Sequence, residues 1–93
     1  MSSVPKTILE EAQEAAYGDR HENYGHPIDN FQRIAALWEV ILGTKVSPKN
    51  AALCMCAVKI SRELHTSKRD NLVDLAGYAD VVARIQERED EGS

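Results

Sequence analysis

From Pro27 to Gly43 the apolar residues Phe31, Ile34, Leu37, Trp38, Ile41 and Leu42 recur at intervals of three and four, with a proline at one end and a glycine at the other. That spacing lines one side of an α-helix. Proline suits a helix's first turn and glycine its end. The same punctuation runs along the whole chain and commits it to one fold class. Ser3 can cap, and Pro5 can enter, a first helix from Lys6 to about Tyr17, striped by Ile8, Leu9, Ala12, Ala15 and Ala16 and stopped by Gly18. Ser47-Pro48 opens a third helix, to about Leu64, with Leu53, Ala57, Ile60 and Leu64 as its stripe. After a short basic turn, Thr66 to Arg69, Asp70 caps a fourth helix that carries Leu72, Leu75, Ala76, Ala79, Val82 and Ala83 to about Arg88. No run alternates long enough for a sheet. The expectation is an all-α fold: a single domain over 1–93, four helices with the third and fourth in a tight hairpin, and an acidic tail, 87–93, that frays.

Size adds a second expectation. A 93-residue monomer hides only roughly 60 to 65% of its unfolded surface, so helices with apolar residues on two sides gain by self-association. A homo-oligomer, dimer or larger, is expected to complete the fold. The 11 Lys and Arg against 15 Asp and Glu, net −4, exclude a non-specific nucleic-acid binder while leaving room for a local basic pocket. No apolar run approaches the roughly 20 residues of a membrane span. Met1 to Lys6 lacks the charged-then-apolar order of a signal peptide. The expected location is therefore the cytoplasm, with no membrane partner. Cys54 and Cys56, two apart on a helix, point in divergent directions and suit small buried or half-buried thiols rather than a disulfide or shared metal.

Two polar segments interrupt this apolar pattern. Lys59 and Arg62, three apart, share a side of the third helix offset from its leucine stripe. Asp70 and Asp74 are four apart on the fourth, with Gly77 and Tyr78 one turn on. A short hairpin turn brings Lys59 and Arg62 near Asp74 and Tyr78. Two readings follow: ion pairs that stitch the hairpin, or a phosphate site whose cations are oriented by carboxylates, with Asp70 and Asp74 able to hold Mg2+. Gly77 inside a helix points to close approach of another helix or a ligand. The connector Gly18 to Pro27 is the second segment, where Arg20 offers a guanidinium fork and Tyr24 an aromatic surface for a base. The alternative there is an ordered loop tied by Asp19 and Asn23. Glu11 and Glu14 have E-x-x-E spacing, but acidic residues early in a helix also complement its positive end. His21, His26 and His65 are too scattered for zinc, and no Ser or Cys nucleophile with its own base is visible, which leaves catalytic residues unassigned.

At these residues the chain resembles a small family of phage and prophage helical proteins of unassigned function. The shared segments read Gly18-Asp19-Arg20, Tyr24-Gly25, Asn30 through Trp38, Lys59-Ile60-Ser61-Arg62 and Asp70 through Tyr78, and they cover most of the chain. More distantly, the K-x-x-R and D-x-x-x-D-x-x-x-Y hairpin is similar to phage nucleotide-metabolism proteins and to MazG-like nucleoside triphosphate pyrophosphohydrolases. That resemblance implies a helical oligomer holding Mg2+ against a triphosphate with acidic side chains. Glu11 and Glu14 match the first acidic motif of such enzymes; the second, E-x-x-D, has no counterpart on the fourth helix before Glu87 and Asp90.

The sequence therefore suggests a nucleotide- or phosphate-binding helical protein. Lys59, Arg62 and Arg20 would meet phosphate, Tyr24 or Tyr78 a base or sugar, and Asp70 with Asp74 the cations or Mg2+. If it turns over, metal-activated water would attack a phosphoanhydride. The competing class is a non-enzymatic phage module that binds a host protein for takeover or anti-defence, with the polar segments as internal staples.

Overall fold

The computed structural model describes residues 5–17 and 26–92, except for the side chains of Ala16 and Tyr17. Four helices account for nearly all of them: α1 (Ile8–Tyr17), α2 (Pro27–Leu42), α3 (Pro48–His65) and α4 (Arg69–Glu91). No strand occurs among the described residues, and the fold is all-α.

Local chemistry sets most of the boundaries. Pro27 opens α2 behind His26, whose Nδ1 accepts the Ile28 N–H at 3.1 Å. Gly43 closes it in the left-handed region at φ 70°, its N–H donating to the Glu39 carbonyl at 2.8 Å. The Glu39 carboxylate accepts the Val46 N–H at 3.0 Å and fixes the following turn. Ser47 Oγ caps α3 by accepting the Asn50 N–H at 3.0 Å, with Pro48 in the first turn.

Three boundaries differ from the sequence expectation. The first helix starts at Ile8 because Thr7 and Glu10 form a reciprocal capping box: Thr7 Oγ1 accepts the Glu10 N–H at 3.1 Å, and Glu10 Oε1 accepts the Thr7 N–H at 3.0 Å. Pro5 precedes that helix, and Ser3 lies outside the described residues. Asp70 is not the cap of α4. Lys68 holds that position with no side-chain cap, and Asp70 sits in the first turn, where its charge complements the helix dipole. The carboxylate that organises the turn is Glu63, from the end of α3. Finally, α4 continues through the acidic tail to Glu91, supported by a 2.9 Å bond from Gln86 Nε2 to Asp90 Oδ1 one turn on.

The long α4 packs against each of the other three helices, most extensively against α3. The core joins Ile28, Phe31 and Ala35 of α2, Ala51 and Ala52 of α3, and Val81 and Ile85 of α4, with Trp38, Met55 and Tyr78 packed partly against it. α1 docks through buried Ala12 and is tied to α4 by Arg69, which reaches the Glu11 carboxylate and the Lys6 carbonyl, each at 2.7 Å.

The apolar stripe of α3 does not enter this core. Leu53 is 46% exposed, Ile60 48% and Leu64 84%, whereas Ala51, Ala52, Met55 and Lys59 turn toward the bundle. The alanines permit the close approach of α3 to its neighbours, which the bulkier leucines would prevent. α2 divides similarly: Phe31 and Ala35 are buried and Trp38 half-buried, while Leu37, Val40, Ile41 and Leu42 are exposed. Cys54 is exposed and Cys56 half-buried, both free, so only Cys56 meets the expectation of a sheltered thiol. No described helix is long and apolar enough to cross a membrane.

Candidate functional site

The turn between α3 and α4 is built around one carboxylate. Glu63 accepts Ser67 Oγ at 2.6 Å, the Lys68 N–H at 3.0 Å and Asn71 Nδ2 at 3.2 Å. Asn71, buried at 9% exposure, donates also to the Thr66 carbonyl at 3.2 Å. The Ser67 hydroxyl first, then the Lys68 amide and Asn71, hold the Glu63 carboxyl below its ordinary value by stabilising the anion. Sequence reasoning missed both Glu63 and Asn71. Their signal was a glutamate in the last turn of the helix, followed by Ser67 four residues on and Asn71 four beyond that.

This hydrogen-bonded turn carries a shallow groove of about 510 Å³, lined by Lys59, Ser61, Arg62, His65, Thr66, Lys68, Asp70 and Asn71. Three permanent cations and a histidine face one carboxylate there, within a chain of net charge −4. Arg62 and Lys68 are exposed, and neither side chain is in an ion pair with a described residue. Lys59 differs. Its Nζ lies 2.9 Å from Asp74 Oδ2, with side-chain exposures of 12% for the lysine and 27% for the aspartate. A pair this sheltered holds α3 against α4 and fixes where the lysine stands.

Lys59, Arg62 and Asp70 thus share one groove, and Asp74 joins them through Lys59. Tyr78 is elsewhere: half-buried, it meets Phe31 edge to face at a ring separation of 6.2 Å, and it lines a small space of about 40 Å³ between α1 and α4 with Asp74 and Gly77. A Cβ added at Gly77 would meet nothing within 4 Å among the described residues, so close helix packing does not account for that glycine. Arg20 and Tyr24 lie outside the described residues. Glu11 and Glu14, the E-x-x-E pair, are each engaged by a cation, Arg69 and Lys6, at 2.7 Å. Among the described residues no three His, Cys, Asp or Glu side chains gather as a metal-binding group. Asp70 lines the groove, whereas Asp74 does not and gives its Oδ2 to Lys59.

Comparison with known proteins gives the lineage. Residues 7–86 match the model of a domain of unknown function, DUF6378. The chain is 44% identical over 90 residues to the Gene 55 protein of Mycobacterium phage D29, covering 96% of this chain and 60% of that protein. It is 38% identical over 87 residues to the Gene 55 protein of Mycobacterium phage L5, covering 91% and 56%. The chain therefore spans somewhat over half the length of these relatives. No solved structure matches. The chain belongs to the DUF6378 family, a small family with phage members and no assigned function.

Proposed function

We propose that this member of the DUF6378 family binds a phosphate-bearing ligand, a nucleotide or a related compound, in the groove at the α3–α4 turn. The observation that carries the reading is exposed Arg62 beside Lys68 and His65, with Lys59 held in place by Asp74. A guanidinium presents a planar fork that matches two phosphate oxygens, and lysine ammonium groups add point charges around it. Asp74 uses part of the Lys59 ammonium's donor capacity and leaves the rest for the ligand. Glu63 and Asn71 keep the turn in shape, so that Arg62 and Lys68 need little reorganisation on binding.

Asp70 is the groove carboxylate available to a hydrated Mg2+ bridging phosphate oxygens. Arg20 and Tyr24 of the connector are the residues that would add a further phosphate contact and an aromatic surface for a base. The distant resemblance to MazG-like enzymes makes attack of metal-activated water on a phosphoanhydride the reaction to assay, with pyrophosphate release as its readout.

The test is a thermal-shift panel of nucleoside mono-, di- and triphosphates, with and without Mg2+, followed by calorimetry on any hit. A ligand-dependent rise in Tm that is lost in Arg62→Ala/Lys68→Ala is expected. Unchanged affinity in the folded double variant would remove the assignment. A different observation favours the second reading, a phage module that docks on a host protein: the exposed apolar end of α2, where Val40 is 82% and Ile41 78% exposed. No shift across the panel at saturating concentrations would favour that reading.

A further inference from the structure

The outward side of α3 carries Leu53, Ala57, Ile60 and Leu64 at successive spacings of four, three and four. That is the repeat of a two-helix seam, in which apolar residues recur on average every 3.5 positions. All four residues are exposed in the protomer. They form a straight ridge about 16 Å long. Cys54 and Ser61, small and uncharged, border it on one side, consistent with the depletion of charge at the centre of protein interfaces.

The surface left open by the folded chain is also too large for its mass. A compact monomer of 10.3 kDa exposes about 5,400 Å², whereas this one exposes 6571 Å². The excess, roughly 1,200 Å², belongs to the chain as a whole, and the α3 ridge is one of its exposed apolar parts, beside the end of α2. The radius of gyration agrees: 14.7 Å, against about 12.3 Å for a compact chain of this length.

We infer that α3 packs through Leu53, Ala57, Ile60 and Leu64 against the same ridge of a second copy of this chain, forming a two-fold dimer. A ridge that is apolar along its length, bordered by Cys54 and Ser61 on one side and by Cys56 and Glu63 on the other, can meet itself across a two-fold axis, as an isologous contact requires. Lys59 and Arg62 lie on other sides of α3, whereas Ser61 both borders the seam and lines the groove, so the two surfaces adjoin there. The inference stands apart from the ligand proposal and survives its failure.

Sedimentation equilibrium tests it. The wild-type chain is expected at twice 10.3 kDa, and Ile60→Lys/Leu64→Lys as a monomer with its helical circular dichroism intact. Leu64→Lys alone, at a side chain 84% exposed in the protomer, perturbs folding least and should weaken the dimer in the same direction. Leu37→Lys/Ile41→Lys, on the exposed side of α2, should leave the dimer whole. A wild-type monomer at all concentrations, a dimer that survives the α3 double variant, or one that breaks only with the α2 pair would overturn the seam; the last would move the contact to α2.

Discussion

The two sides of α3 invert the usual partition of polarity. Its inward side presents two alanines, a half-buried methionine and a lysine whose side chain is only 12% exposed, while its outward side presents Leu53, Ile60 and Leu64. On α4 the arrangement is conventional, with Val81 and Ile85 buried in the core. The contrast teaches that hydrophobicity alone did not choose which side of α3 faces the bundle. Close approach needed small residues, and Lys59 could turn inward because Asp74 waits opposite it at 2.9 Å. The apolar side stands exposed in the protomer.

The comparison can be broken most sharply at the ion pair. Asp74→Ala should destabilise the protein by about 3 kcal/mol, because it leaves a sheltered ammonium without its counter-charge. Urea unfolding measures this, and a change below about 0.5 kcal/mol, typical of ordinary surface substitutions, would show that the pair does not join the helices. Next in size is Gly77→Ala, one turn beyond Asp74. With nothing within 4 Å of the new methyl, it should stabilise α4 by about 0.5 to 1 kcal/mol. A loss of stability would reveal a group seated against the glycine.

The smallest effect concerns Glu63, where α3 ends. Its carboxyl is held below the ordinary 4.5 by Ser67, the Lys68 amide and Asn71. A lowered folded value means that the contribution to stability is fully present above the unfolded value and is lost as the pH falls through the folded one. The urea midpoint should therefore drop as the pH is taken below 4.5, and Glu63→Gln should flatten part of that slope. An identical slope in the variant would mean that other carboxylates carry it all.

Much of the fold was legible because its signals are local. Pro27, Gly43 and Ser47-Pro48 bracket α2 and open α3 where the sequence places them, each acting through backbone groups within one turn. The start of α1 was less legible, since Ser3 and Thr7 are both capping residues and only the reciprocal bond with Glu10 selects Thr7. Asp70 misled for a similar reason. A cap is normally sought immediately before a helix, and here a glutamate from the preceding helix organises the turn. Of the candidate site, the approach of Lys59 to Asp74 followed from the short hairpin, whereas the seating of Tyr78 against Phe31 did not.

What the sequence determined by itself is the helical class, most of the helix limits and the α3–α4 hairpin, because helix propensity, caps and turn residues act over a few neighbours. What only the tertiary structure decided is the rotation of each helix about its axis. α3 carries an apolar stripe on one side and small residues with a lysine on the other, so its pattern fits two orientations. The choice rests on how closely α3 can approach α4 and on the Asp74 partner across the contact, distances that no spacing within one helix records.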